Sequence, residues 1–192
     1  MRIGVFGGSF NPIHKYHEEI ATHLINNKYL DKVIFVPTGS KYHYKNNLIS
    51  DSKRLDMLKL VVDKYPEFEV DNYELKDHEV HTCETLKYLK EENPEDEIVF
   101  ICGTDNLTYI DSWQDGLSLL ENYKFLIIKR DTDEIGEILN IYHKYLDNIK
   151  VVDMDQNPLS STYIRNNISL PEIKQHLDID VYNYIIENNL YR

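Results

Sequence analysis

Cysteine and positive charge are scarce in this chain, and each shortage removes a class of answer. Two cysteines, Cys83 and Cys102, among 192 residues support no disulfide framework and no C-x-x-C metal pair. Against 33 acidic residues stand 21 lysines and arginines, a formal charge of −12, so the chain lacks the basic surface that nucleic acid or an anionic membrane requires. No apolar stretch reaches the roughly 18 residues of a membrane span, and the start shows no basic segment followed by a long apolar one. The expectation is a cytoplasmic, reducing setting with no nucleic-acid and no membrane partner. With 42% hydrophobic and 28% charged residues, the composition is globular rather than disordered. No linker, internal repeat or low-complexity tract stands out. We expect a single domain over 1–192, with a helical subregion over about 153–192. Homo-oligomerisation is left open.

What is present alternates between the two hydrophobic periods. Ile3 to Phe6, Val33 to Val36, Ile98 to Cys102, Phe125 to Ile128 and Ile149 to Val152 are short, β-branched or continuous apolar runs, as in strands buried on both faces. Phe68 to Leu75 alternates and reads as another strand. Between the runs lie helical stripes: Ile20, Ala21, Leu24 and Ile25; Leu55, Leu58, Val62 and Tyr65, capped by Asp51 or Ser52; Thr82 to Glu92; and Ile135, Ile138, Leu139, Tyr142 and Tyr145. Two further helical patterns follow, Tyr163 to Ile168 and Val181 to Ile185. Strands alternating with helices predict an α/β fold, a doubly wound parallel sheet with a small C-terminal helical part. In such a sheet ligands bind beyond the carboxyl ends of the strands. Gly7-Gly8, Pro37, Gly103 and Arg130 are expected at that edge.

The first strand runs into Gly7-Gly8-Ser9-Phe10-Asn11-Pro12-Ile13-His14-Lys15-Tyr16-His17. Histidines three apart on a helix share a face and can reach one ligand. Glycines let backbone N–H groups approach an anion, and a helix start adds unpaired donors. A turn with solvated histidines and a zinc site are the competing readings, although zinc needs further ligands of suitable type. The glycines do not fall at G-x-G-x-x-G spacing. Near the other end, Ser160-Ser161-Thr162 precedes a helical pattern, and Arg165 lies about one turn further on. Hydroxyls there cap a helix and donate to an anion, and the guanidinium can join them. Binding a triphosphate would require an acidic chain to gather its few cations. The candidates are Lys41, His43, Lys45 and Arg54, then Lys129 and Arg130, then Arg165.

Taken together, Gly7-Gly8-Ser9-Phe10-Asn11-Pro12-Ile13-His14-x-x-His17, Gly103-x-Asp105, Trp113, Lys129-Arg130 and Ser160-Ser161-Thr162-x-Ile164-Arg165 occur in a telling order. It resembles that of the nicotinate and nicotinamide mononucleotide adenylyltransferases, within the His-x-x-His nucleotidylyltransferase superfamily. The resemblance runs from residue 2 to Leu190-Tyr191-Arg192. It implies a Rossmann-like nucleotidylyltransferase fold. It also implies adenylyl transfer from ATP to a pyridine mononucleotide with release of pyrophosphate, a step in NAD synthesis, with Mg²⁺ arriving on ATP and no metal site in the protein. By the same resemblance, His14, His17 and Arg165 would act on the phosphates, and Gly8, Ser9 and Phe10 would shape the ATP floor. Gly103 and Asp105 would take the ribose, and Ser161 and Thr162 the outer phosphates. Lys45, Thr82, Trp113 and Arg130 would hold the mononucleotide.

Three departures mark the chain. Tyr16, beside the expected adenine position, stands where many bacterial members carry glycine. The loop from Pro37 to Lys45 differs from the usual bacterial Pro-Pro-His-Lys run, and Gln114 replaces a common tyrosine. The short chain and compact loops resemble the nicotinate-using bacterial members, so nicotinate mononucleotide is the expected acceptor. The alternatives are nicotinamide mononucleotide or dual use, then a sibling phosphopantetheine adenylyltransferase or cytidylyltransferase, then a non-catalytic nucleotide sensor.

Overall fold

The structure is a computed structural model that describes residues 1–42, 47–129 and 135–192. Among these, strands β1 (Arg2–Gly8), β2 (Lys32–Pro37), β3 (Phe68–Val70), β4 (Glu97–Gly103), β5 (Lys124–Ile128) and β6 (Ile149–Val152) form one sheet in the order β3-β2-β1-β4-β5-β6. Every adjacent pair is parallel. The chain lays β2 and β3 on one side of β1, then returns to lay β4, β5 and β6 on the other. That reversal opens a crevice beyond the carboxyl ends of β1 and β4.

The continuous apolar runs resolve into two cores on opposite faces of the sheet. Along β4, Val99 and Ile101 enter one core, while Ile98, Phe100 and Cys102 enter the other. The first core is covered by α1 (Lys15–Asn26) and α2 (Asp51–Val62), through residues such as Ile20, Leu24, Met57 and Val61. The second is covered by α3 (Thr82–Glu92), α4 (Thr104–Thr108), α5 (Gly116–Asn122) and α6 (Ile135–Ile141), through residues such as Leu86, Leu107, Leu119 and Ile138. The C-terminal helices α7 (Ser161–Asn166) and α8 (Ile179–Glu187) join the first core through Ile164, Val181 and Ile185. Ionic contacts fasten this end. Asp178 caps α8 by accepting from the Asp180 N–H at 2.9 Å and receives Lys64 Nζ at 2.6 Å.

Several sequence expectations change here. The strand predicted over Phe68 to Leu75 stops at Val70, because the Asp71 carboxylate accepts from the Tyr73 N–H at 2.7 Å and turns the chain. The long stripe after residue 135 breaks into α6 and a 3-10 turn over His143–Asn148. The cap of α2 is Ser50 rather than Asp51 or Ser52. Tyr16 is 1% exposed and belongs to the first core. Its ring belongs to the apolar stripe of α1.

Gly116 shows a close approach that only glycine permits. A Cβ there would lie 1.7 Å from the Ile110 carbonyl oxygen and 3.3 Å from Trp113 Cβ. Gly136, by contrast, sits on an exposed helical surface with nothing within 4 Å of an added Cβ. Gly116→Ala is therefore expected to destabilise by about 1–3 kcal/mol, and Gly136→Ala to stabilise by about 0.4–1 kcal/mol. Urea unfolding of the two variants checks the opposite signs, and changes of the same sign would contradict the packing described.

Candidate active site

Two cavities meet at the crevice. One, of about 400 Å³, is lined by Gly8, Ser9, His14, His17, Gly103, Asp105, the Ser160 to Thr162 segment and Arg165. The other, of about 280 Å³, is lined by Thr38, Tyr42, Glu74, Thr82, Thr85, Phe100 and Trp113. Gly7, Gly8 and Asn106 line both. The carboxyl end of β1 is thus the floor between two compartments. A larger groove of about 540 Å³ between α2 and β3 shares no residue with either.

In the first cavity the two histidines meet, but not as two helical residues on one face. His14 is the residue before α1, in an extended conformation, and His17 lies in the first turn. Their rings stack with centroids 3.8 Å apart. The His14 backbone N–H donates to His17 Nδ1 at 3.2 Å. In the neutral imidazole this leaves the proton on Nε2, so His17 offers a donor at its far end. Phe10 and Phe6 pack against the His17 ring at 5.0 and 5.8 Å. Phe10 is 1% exposed and buttresses the histidine from a wall of the cavity that it helps to line.

Arg165 arrives from α7 and donates from Nη1 to the Asn11 carbonyl at 2.9 Å and from Nη2 to Thr162 Oγ1 at 3.2 Å. Ser160 caps α7 by accepting from the Tyr163 N–H. The Ser161 hydroxyl donates to the Pro12 carbonyl at 2.8 Å, so its backbone N–H is the donor left for an anion. Asp105 lies in the first turn of α4, just beyond Gly103, and is exposed.

In the second cavity, Trp113 is half-buried and meets Phe100 edge-on with centroids 6.2 Å apart. Thr82 opens α3. Glu74 also lines this cavity; it was missed in the sequence because its segment reads as strand. Thr85 Oγ1 donates to Glu74 Oε1 at 2.8 Å, and Tyr73 stacks on Tyr88 at 4.0 Å; together they hold the turn against α3. Gly39 makes the approach from the other side feasible. A Cβ there would lie 2.2 Å from the Glu74 carbonyl oxygen. Burial pushes the Glu74 carboxyl up to about 7, with Asp71 and Glu84 adding to the shift and the Thr85 hydrogen bond opposing it.

The expected cluster of cations forms only in part. Arg165 joins the histidines, but Arg54 is fully buried. It donates to the Ser9 carbonyl at 2.7 Å and to Asp51 at 2.6 Å, and so positions backbone instead of binding substrate. Lys45, His43 and Arg130 lie outside the described residues. Also unread in the sequence was Asn11, whose side chain accepts from the Tyr191 hydroxyl at 2.9 Å and donates to the Asn47 carbonyl at 3.1 Å. Only the Gly-rich motif around it hinted at such a role.

Glu74 generates a stability prediction. A carboxyl raised by folding binds its proton more tightly in the folded chain, so its contribution is full below about 4.3 and is lost as pH rises through 7. Glu74→Gln does not titrate. Relative to wild type it is expected to gain stability between pH 5 and pH 8, by up to about 3 kcal/mol. Urea unfolding at both pH values measures this, and a constant difference would contradict the burial assigned to Glu74.

Comparison with known proteins agrees with this geometry. A family model described as "Cytidylyltransferase-like" matches residues 5–167. A protein of Carboxydothermus hydrogenoformans named "Probable nicotinate-nucleotide adenylyltransferase" is 39% identical over 100% of this chain and 98% of its own. One of Clostridium tetani with the same name is 33% identical over 98% of each. Among solved structures, a Plasmodium falciparum nicotinic acid mononucleotide adenylyltransferase complexed with NaAD superposes with a TM-score of 0.81 at 24% identity, covering 99% of this chain and 97% of that one. The doubly wound fold expected from periodicity is therefore the fold of that structure. The chain belongs to the cytidylyltransferase-like family and, by its full-length relatives, to the nicotinate-nucleotide adenylyltransferases.

Proposed function

We propose that this chain transfers the adenylyl group of ATP to nicotinate mononucleotide, forming nicotinate adenine dinucleotide and pyrophosphate in NAD synthesis. The observation that carries the reading is the pair of cavities joined across Gly7 and Gly8. One is rich in anion donors and the other holds an aromatic wall, so two substrates would face each other across a bare backbone floor. The names of the full-length relatives support the same acceptor. A sensor without chemistry is disfavoured, because His14, His17 and Arg165 all line one cavity.

The reaction is a direct displacement. A 5′-phosphate oxygen of the mononucleotide attacks the α-phosphorus of ATP, an O–P bond forms, and the bond to the β-phosphate oxygen breaks as pyrophosphate leaves. The attacking oxygen is already ionised, so neither a general base nor a covalent nucleophile is required. The protein's contribution is positioning and charge stabilisation. His17 Nε2–H would donate to the phosphates, and Arg165 would neutralise charge developing on the leaving group. Asp105 would accept from the ribose hydroxyls of ATP, and Trp113 with Thr82 would contact the pyridine end of the mononucleotide. Lys45 and Arg130 remain expected at the mononucleotide. The donor set of the first cavity is imidazole, hydroxyl and guanidinium, with Asp105 as its lining carboxylate. Such a set fits Mg²⁺ carried on the ATP phosphates and supplying charge neutralisation there, not a cage of protein ligands.

Mixing the protein with ATP, Mg²⁺ and a panel of phosphate acceptors, while following pyrophosphate, tests the reading. Release with nicotinate mononucleotide is expected; release only with phosphopantetheine or a cytidylyl acceptor pair, or binding without release, would overturn it. His17→Ala is expected to lower turnover by about 10²-fold or more, the scale of losing one transition-state donor. Near-normal turnover at saturating substrates would remove His17 from the chemistry.

A further inference from the structure

Resting on that reading of the second cavity, we propose that Glu74 is a specificity-determining residue. Its carboxyl group reads the substituent on the pyridine ring, donating to the carboxylate of nicotinate when protonated and accepting from the amide of nicotinamide when ionised.

The argument starts from what the second cavity offers a carboxylate. Among the described residues none of its lining groups is a lysine or arginine. A negatively charged ring substituent buried there needs donors, since an unpaired charge out of water is costly. Thr85 is not free to supply one, because its hydroxyl proton goes to Glu74 Oε1. That bond also fixes the carboxyl group, leaving its second oxygen, Oε2, with no hydrogen bond to any described residue and outside the set of fully buried, unpartnered polar atoms. The wall of the cavity therefore carries one oriented, half-satisfied carboxyl group.

Its two protonation states make opposite demands. An ionised carboxyl is acceptor-only and would repel nicotinate at contact distance, whereas it matches the N–H donors of an amide. A protonated carboxyl keeps a donor for nicotinate. Surroundings favour the protonated state: burial acts first, and Asp71 and Glu84 add to it. On the elements packed around Glu74 the titratable groups are Lys41 and Tyr42 on the loop after β2, and Asp71, Tyr73, Lys76, Asp77, His78 and Glu79 on its own segment. His81, Cys83 and Glu84 stand at the start of α3, and Asp111 and Asp115 flank Trp113. The two that act on it as charges, Asp71 and Glu84, are both acidic. Binding nicotinate would add a third negative charge and draw the proton tighter. Selectivity would then rest on a proton rather than on a fixed cation.

The test compares kcat/KM for nicotinate and nicotinamide mononucleotide at saturating ATP and Mg²⁺ between pH 6 and pH 8. Both acceptors carry the same 5′-phosphate and meet the same ATP, so those titrations cancel in the ratio. The ratio reports the group in the ATP-bound enzyme before the acceptor binds. For a carboxyl near 7, the protonated fraction falls about tenfold over this range while the ionised fraction rises about tenfold, so the nicotinate-to-nicotinamide ratio is expected to fall about a hundredfold. In Glu74→Gln, whose amide keeps a donor on the same stem, the ratio is expected to stay flat, with nicotinate still used. A ratio that does not move with pH in wild type, or that moves equally in Glu74→Gln, overturns the role given to Glu74. If wild type turns over neither acceptor, the parent reading has failed and this one falls with it. The wild-type profile alone is decisive should the variant not fold.

Discussion

Asn11 is the joint on which the site depends. Its backbone carbonyl receives Arg165, its side-chain oxygen receives the Tyr191 hydroxyl, and its side-chain nitrogen donates to the Asn47 carbonyl. One residue thereby ties the loop after β1 to the loop before α2, to α7 and to the last turn of the chain. These segments come from opposite ends of the sequence, with Asn11 and Tyr191 separated by 180 positions. Asn11 is 2% exposed, so leaving any of its polar atoms without a partner would cost about 1–3 kcal/mol. Burial also pushes the Tyr191 phenol upward, which keeps it a neutral donor. The consequence for chemistry is geometric. Arg165 stands beside the histidines because the carbonyl that holds it belongs to the same loop that leads to His14.

A second constraint is the reversal of strand order at β1. Because β2 and β4 flank β1 on either side, the chain leaving β1 must pass between them, and its glycines become the floor of both cavities. The two compartments are then served by different faces of the sheet. α1 with its capping residue, and α7, which cover the first core, supply the histidines and Arg165, while α3 and the segment before α5, which cover the second, supply Thr82, Thr85 and Trp113. Arg54 links the halves at the rear: its buried guanidinium holds the Ser9 carbonyl of one wall and Asp51, which in turn accepts from Ser40 near the other. An acidic chain thus concentrates its charge complementarity in a few groups fixed by backbone contacts.

The elements that could be read from the sequence were those with a strong local period. The run from Ile98 to Cys102 lies within β4, and Thr82 to Glu92 is helical over the expected range. The stripe from Ile135 to Tyr145 failed because its apolar spacing does not report where a helix tightens into a 3-10 turn. Phe68 to Leu75 failed because alternation cannot register a side chain that caps its own backbone, as Asp71 does. Of the site, the histidines, Asp105, Trp113 and the Ser160 to Arg165 motif were legible as residue types in order. The roles of Glu74, Arg54 and Asn11 were not: Arg54 was expected among the substrate-binding cations, and Asn11 stood in the first motif without a role. A buried carboxyl, a buried guanidinium and a bridging amide declare themselves only through partners distant in sequence, and their residue types are most often solvated.

The central claim is that both substrates sit together over the β1 floor and react directly, with no intermediate attached to the protein. ATP made chiral at the α-phosphorus by sulfur substitution tests it, with the configuration of the dinucleotide product as the measurement. A single in-line displacement predicts inversion at phosphorus. Retention would mean two displacements and an adenylylated protein group, and would contradict the account.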